Sequence, residues 1–132
     1  MRTPNPAART PLVLVVDDYA DVREMYADYL KFEGFRVKTA ATGPEALAAA
    51  RAERPDLILM DVTMPGMDGF TATERIKEDP ALGSIPVLIL TAHVFAEYEE
   101  KAKRAGCNGF IRKPCLPDEL ARAVRAAIRR ER

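Results

Sequence analysis

The sequence predicts a doubly wound α/β fold, in which five parallel strands form one sheet that is covered by helices on both faces. Short apolar runs alternate five times with longer segments whose apolar residues recur every three or four positions. Glycine, proline or helix-capping residues separate the two kinds of segment. Because a helix lies between each pair of consecutive strands, right-handed crossovers must join them, which makes the sheet parallel.

The first two strand–helix units are well marked. Leu12–Val16 is an apolar run typical of a strand that is buried on both faces. The next segment has a helical apolar stripe and should end at Gly34, where a left-handed cap is expected. Residues 35–40 alternate as a strand does, and the spacing of Thr42 and Glu45 predicts a capping box before an alanine-rich helix that Pro55 closes.

Three further units repeat this pattern. Apolar runs at residues 56–60, 86–90 and Gly109–Arg112 predict the third, fourth and fifth strands. Turn-forming residues at 64–69 lie between the third strand and a helix at about residues 70–78. We expect the fourth helix at Ala96–Ala105 and the last from about Pro117.

The composition agrees with one globular domain. The 132 residues can bury a sufficient core, and 20 basic side chains balance 20 acidic ones, which argues against disorder and against general binding of polyanions. Cys107 and Cys115 are too few for a disulfide framework, so we expect reduced thiols and a cytoplasmic protein. No apolar stretch approaches the roughly 20 residues that cross a bilayer. We expect a flexible leader at residues 1–11 and one domain at residues 12–132.

Polar residues follow four of the five predicted strands. Asp17 and Asp18 follow the first, Asp61 the third, Thr91 the fourth and Lys113 the fifth. Because ligands of such sheets bind beyond the carboxyl ends of the strands, these side chains should meet in one crevice. Crowded carboxylates repel each other, and Mg²⁺, which prefers oxygen ligands, would offset their charge. An aspartate can form an acyl phosphate, so the pattern predicts phosphoryl transfer.

With these motifs the chain resembles the receiver domain of bacterial two-component response regulators, over residues 12–128. The motifs are Val15-Val16-Asp17-Asp18, Asp61 with Met64-Pro65-Gly66-Met67-Asp68-Gly69, Leu90-Thr91-Ala92 and Lys113-Pro114. Their order at four strand ends is far more specific than any single motif. The resemblance implies a flavodoxin-like sheet with the strand order 2-1-3-4-5.

The resemblance also implies an acceptor and a metal site. Asp61 would take a phosphoryl group from a phosphohistidine. Asp18 and Asp61 would bind Mg²⁺, or Mn²⁺ in its place, with Asp17 acting through water and Thr63 through its backbone carbonyl. The domain would assist its own phosphorylation and dephosphorylation without being an enzyme in the usual sense.

A second set of residues would bind the phosphoryl group and switch the domain. Lys113 would pair with the phosphoryl group, and a cis bond to Pro114 would aim it inward. Thr91 would hydrogen-bond a phosphoryl oxygen, next to Thr63 and the small Ala92. The aromatic residue that rotates inward with the threonine is Phe110, which has no hydroxyl and could couple only through packing. Cys115 departs from the phenylalanine that is common after the lysine and proline.

The resemblance implies two kinds of partner. A histidine kinase or a histidine phosphotransfer protein would donate the phosphoryl group, and an unknown downstream protein would bind the face around the fourth helix and fifth strand. A dimer could use the face between the fourth and fifth helices. Neither nucleic acid nor a membrane would be bound by this domain itself.

Two other functions remain open at this level. A flavodoxin-like or phosphatase-like enzyme could share the fold, but the sequence has no phosphate-binding loop after the first strand. The stretch Asp61-Val62-Thr63 also lacks the second aspartate that a dehalogenase-type phosphatase would have. A receiver-like interaction domain that no longer uses phosphate is the third reading, against which the complete residue set argues.

Overall fold

The computed structural model describes residues 10–92 and 96–131 and confirms the predicted parallel sheet. The strands are Leu12–Val16 (β1), Arg36–Ala40 (β2), Leu57–Met60 (β3), Val87–Thr91 (β4) and Gly109–Arg112 (β5). All neighbours are parallel, in the order β2-β1-β3-β4-β5. Three strands begin one residue later than predicted, within the usual uncertainty of element ends. Most of the expected leader, residues 1–9, lies outside the described residues.

Within the described residues, five helices cover the two faces of the sheet. They are Ala20–Phe32 (α1), Gly43–Ala52 (α2), Gly69–Glu78 (α3), Ala96–Ala105 (α4) and Pro117–Glu131 (α5). One buried cluster joins the sheet to α1 and α5, and a second joins it to α2, α3 and α4. No helix in the described ranges is both long enough and apolar enough to span a bilayer.

The helix ends that the sequence predicted are present. Gly34 adopts a φ of 99° after α1, a conformation that favours glycine, and its amide donates to the carbonyl of Lys31. At the start of α2 the Thr42 hydroxyl accepts from the Glu45 amide at 3.2 Å. The Glu45 carboxylate reaches back to the amide of Ala41 at 2.9 Å, one residue earlier than in the standard capping box.

The strand register brings the carboxyl ends of the central strands to one edge. Val16 at the end of β1 is level with Met60 at the end of β3, and Met60 is level with Ile89 in β4. The next residue after β3, Asp61, donates its amide to the carbonyl of Val16 at 2.9 Å. The residues that follow these strands therefore emerge at the same rim.

The loop after β3 is tied directly to α3. The amide of Gly69 donates to the carbonyl of Val62 at 2.8 Å, and Asp68 caps the helix by accepting from the Thr71 amide at 2.8 Å. Gly69 leaves no room for a side chain, because a Cβ there would overlap the backbone carbonyl oxygen of Asp61. A glycine at the start of α3 thus allows the Asp61 backbone to approach the helix closely.

Gly69→Ala is expected to lower the free energy of unfolding by about 1–3 kcal/mol, because backbone atoms cannot move aside as a side chain can. Urea unfolding would measure the loss. Gly43→Ala is the matched control, since Gly43 also begins a helix but the three atoms nearest to a Cβ there belong to the side chain of Met67. Its free energy of unfolding should change by less than about 1 kcal/mol, because methionine adapts its shape. Equal losses in both variants would contradict this account.

Candidate functional site

Three carboxylates meet at the rim of the sheet, as the sequence predicted. One oxygen from each of Asp17, Asp18 and Asp61 lies within 4.8 Å of the others. Asp17 is only 4% exposed, Asp61 is half-buried and Asp18 is exposed. Such close negative charges repel each other, so the arrangement needs positive charge nearby.

Lys113 supplies part of that charge from the loop after β5. Its Nζ lies 2.9 Å from Asp17 Oδ2 and 3.2 Å from Asp61 Oδ1. Its backbone amide donates to the carbonyl of Thr91 at 2.9 Å, which extends the pairing of β4 and β5 by one residue. The bond between Lys113 and Pro114 is cis, as the resemblance implied. The lysine therefore bridges the ends of β1 and β3 from the end of β5.

Burial and charge act in opposite directions on these groups. The pKa of Asp61 is raised, chiefly by burial and further by the charge of Asp17, although the Lys113 ammonium opposes the shift. Burial would lower the pKa of Lys113, but its hydrogen bonds to Asp17 and Asp61 and their charges outweigh this, so the pKa is raised. The lysine is thus held firmly charged, whereas the ionised form of Asp61 is disfavoured relative to water.

Local hydrogen bonds hold Asp17 in place. Its Oδ1 accepts from the Tyr19 amide at 2.9 Å, and its backbone carbonyl accepts from the Arg23 guanidinium at 2.8 Å. Both donors belong to the first turn of α1 or the residue before it. No sequence motif points to Arg23, because its contact is with a backbone carbonyl.

The remaining predicted residues lie around this cluster at different depths. Thr91 ends β4 and is only 1% exposed, while Ala92, the next residue, is exposed. Thr63 is exposed in the loop after Asp61. Phe110 is half-buried on β5 opposite Ile89 and packs against the core that α2, α3 and α4 cover. The structure therefore brings four charged residues together and places the two threonines, the alanine and the phenylalanine on neighbouring elements.

Tyr26 lies on the apolar stripe of α1, and no motif in the sequence marks it as part of the site. In the structure its ring centroid lies 5.8 Å from Lys113 Nζ, and the residue is only 2% exposed. A helical stripe marks Tyr26 as buried but carries no information about which loop it faces, so the sequence contained no signal for this contact.

The cluster suits a divalent cation that prefers oxygen ligands. Asp17, Asp18 and Asp61 offer three carboxylate oxygens and no nitrogen or sulfur ligand, and oxygen-only ligation with few carboxylates is typical of Mg²⁺. The positive charges of Lys113 and nearby Arg23 do not fully balance three carboxylates, which leaves the site able to attract a cation.

The sequence matches the response regulator receiver domain over residues 13–125. Among curated relatives, it is 39% identical over 119 residues to the probable transcriptional regulatory protein TcrX of Mycobacterium tuberculosis. It is 42% identical over 118 residues to the response regulator PleD of Caulobacter vibrioides. Each match covers 89% of this chain, but only 50% of TcrX and 26% of PleD, so this chain spans half or less of their length.

Solved receiver structures have the same fold. The chemotaxis protein CheY4 of Vibrio cholerae is 35% identical with a TM-score of 0.85, and the match covers 89% of this chain and 98% of that one. The receiver domain of the sensor histidine kinase PA1611 from Pseudomonas aeruginosa is 31% identical with a TM-score of 0.84, covering 90% and 98%. That structure has a magnesium ion in its active site cleft. This chain belongs to the response regulator receiver domain family, the phosphoacceptor domains of two-component signalling.

Proposed function

We propose that Asp61 is the phosphoacceptor of this domain and that Lys113 pairs with the phosphoryl group it receives. The observation that supports this is the Lys113 ammonium, 2.9 Å from Asp17 and 3.2 Å from Asp61 at the point where three carboxylates meet. An ammonium in this position can neutralise charge that arrives next to Asp61.

The transfer forms one bond and breaks another at phosphorus. An oxygen of the Asp61 carboxylate attacks phosphorus in line, and the bond from phosphorus to the donor's imidazole nitrogen breaks. The electron pair of that bond stays on the nitrogen, and a proton carried on the other ring nitrogen of the phosphohistidine makes the released group a neutral imidazole. The product is an acyl phosphate on Asp61, a high-energy linkage that water can later hydrolyse to restore the carboxylate.

We propose that Asp17, Asp18, Asp61 and the backbone carbonyl of Thr63 hold Mg²⁺, or Mn²⁺ in its place. When bound, the cation supplies positive charge that lowers the repulsion between the carboxylates and an incoming phosphoryl group. Asp17 is suited to an anchoring role, because its side chain and backbone are already held by Tyr19 and Arg23.

Thr91 and Phe110 are proposed to pass the phosphorylation state to a partner. A phosphoryl group adds about two negative charges near Asp61, and the Thr91 hydroxyl and the Ala92 and Thr63 backbone would bind its oxygens. Thr91 ends the strand that leads towards α4, while Phe110 packs under the same face of the sheet. A shift of Thr91 would therefore change the population of conformations at the α4–β5 face.

The partners follow from this chemistry. The donor would be a histidine kinase or a histidine phosphotransfer protein. A downstream protein would bind the α4–β5 face, and the same face together with α5 would serve for a dimer.

We propose that residues 12–132 form the receiver domain after a leader at residues 1–11, and that the domain acts in the cytoplasm. The free thiols of Cys107 and Cys115 suit a reducing compartment.

Incubation with acetyl phosphate and Mg²⁺ should add the mass of one phosphoryl group to the intact chain, and EDTA should prevent the addition. Reduction with borohydride converts an aspartyl phosphate to homoserine, so peptide mapping should find homoserine at position 61. An adduct that forms equally well in EDTA would contradict the metal site. Homoserine at another aspartate would contradict the assignment of Asp61.

A further inference from the structure

Tyr26 on α1 presents its ring to the lysine of the site. Its ring is buried in the core that α1 and α5 share, with its centroid 5.8 Å from Lys113 Nζ. Tyr29 packs edge-on against it at 5.7 Å between ring centroids, with an angle of 86° between the planes. The ring is therefore held by its own helix and cannot easily turn away from the lysine.

Tyr26 also meets the far end of the loop that carries Lys113. Cys115 belongs to the same buried cluster as Tyr26 and is 7% exposed. Burial raises the pKa of Tyr26, while the Lys113 charge and hydrogen bonding from the Cys115 backbone amide lower it. One side chain of α1 thus acts on two residues of the Lys113-Pro114-Cys115 segment.

A lysine needs such support if it is to hold one position. Its four-carbon stem is flexible, and its ammonium is a point charge without the fixed geometry of an arginine. The electron-rich face of an aromatic ring attracts an ammonium, and more strongly where water is excluded. Lys113 is 17% exposed in its side chain, so the Tyr26 ring competes with little water.

We propose that Tyr26 is a positioning residue for phosphoryl transfer, which holds the Lys113 ammonium between Asp17 and Asp61. The inference rests on the proposed function of Asp61 and Lys113. Tyr26 itself touches no reacting atom. Its ring limits the positions of the lysine, and its contact with the Cys115 segment fixes the loop that carries it.

The test compares ring removal with hydroxyl removal. Tyr26→Leu should slow formation of the acetyl phosphate adduct on the order of tenfold, the range expected for loss of one cation–π contact at a mostly buried site. Tyr26→Phe keeps the ring and should stay within about threefold of wild type. Phe35→Leu is the matched control, because Phe35 is a buried aromatic at the opposite end of the sheet. It should lose stability without losing the transfer rate.

A nuclear magnetic resonance signature separates positioning from general destabilisation. The ring current of Tyr26 should move the ε-methylene protons of Lys113 upfield in wild type and in Tyr26→Phe, but not in Tyr26→Leu. If Tyr26→Leu fails to fold, Tyr26→Met keeps much of the apolar volume without an aromatic face. This variant should likewise form the adduct more slowly and lack the upfield shift of the Lys113 ε-methylene protons.

Three outcomes would overturn the proposal. A leucine or methionine variant that accepts phosphate at the wild-type rate, while the wild type is modified at Asp61, overturns the role of Tyr26 and leaves the proposed function intact. If Phe35→Leu slows adduct formation as much as Tyr26→Leu does, lost stability alone explains the effect. A wild-type chain that forms no adduct overturns the proposed function and this inference together.

Discussion

Asp61→Asn is expected to abolish the phosphoryl adduct while the chain keeps its fold. The carboxamide is not a nucleophile for acyl phosphate formation, yet it has nearly the shape of the carboxylate and can still accept a hydrogen bond from Lys113. Intact mass after incubation with acetyl phosphate and Mg²⁺ measures the adduct, and circular dichroism measures the fold. Adduct formation in this variant at more than a trace would contradict the assignment of the acceptor.

Asp68→Asn is the matched control for this experiment. Asp68 lies in the same loop and caps α3 through the Thr71 amide, a role that asparagine fills equally well. The two variants therefore make the same chemical change within one loop, at the proposed acceptor and away from it. The control should form the adduct at the wild-type rate.

Asp61→Asn should also stabilise the fold at neutral pH in the absence of metal. The pKa of Asp61 is raised above its unfolded value, chiefly by burial, so the folded state binds more protons than the unfolded state between the two pKa values. The stability of the wild type therefore falls as the pH rises through that window. Asp61→Asn does not titrate, so its advantage should appear above the window and vanish below about pH 4. Urea unfolding in EDTA at several pH values measures the difference, and a variant that is less stable than wild type at pH 7 would contradict it.

The parts of the site that the sequence predicted are those set by strand ends. Asp17, Asp61 and Lys113 each follow an apolar run, and parallel strands must place such residues at one edge of the sheet. Their meeting at one edge follows from the parallel sheet that the alternation of strands and helices predicts, whereas the strand order was implied by the resemblance and the distances required the structure. The capping box at Thr42 and the cap at Gly34 were equally predictable, because each depends only on residues a few positions apart.

The parts that were missed depend on side-chain direction across the fold. Tyr26 faces Lys113, and Arg23 donates to the carbonyl of Asp17, although nothing in the local sequence distinguishes them from other helix residues. The burial of Thr91 is a further example, since the sequence places this residue at a strand end but does not give its 1% exposure. Such facts require the packed structure, because residues far apart in the chain create them.

Lys113→Ala is expected to slow phosphoryl transfer to Asp61 by about 10²–10³-fold, the usual effect of removing one preorganised charged group from a reacting centre. The Lys113 ammonium contacts both Asp17 and Asp61, so its loss also leaves two largely buried carboxylates without their partner. Removing one member of such a group lowers the free energy of unfolding by roughly 3–5 kcal/mol at pH 7. The rate of adduct formation and urea unfolding measure the two effects, and a rate within threefold of wild type would contradict the role of the lysine.

The stability deficit of Lys113→Ala should depend on pH, in a direction that the charges of the site determine. The pKa of Lys113 is raised above its unfolded value, so its stabilising contribution is fully present below the unfolded pKa near 10.5 and is lost only as the pH rises through the folded value. The stability deficit of Lys113→Ala should therefore be large at pH 7. It should shrink as the pH falls through the range in which Asp61 takes up its proton, because protonation of Asp61 removes part of the repulsion that the lysine had balanced.

Lys113→Arg separates the charge of the lysine from its position. The guanidinium keeps the positive charge but spreads it over a planar fork that is larger than an ammonium, so it cannot bridge Asp17 and Asp61 with one atom at 2.9 and 3.2 Å. We expect this variant to recover most of the lost stability at pH 7 while its transfer rate stays well below wild type. If charge alone were sufficient, stability and rate would recover together. Recovery of stability without recovery of rate would show that transfer depends on a single ammonium held at one point between the two carboxylates.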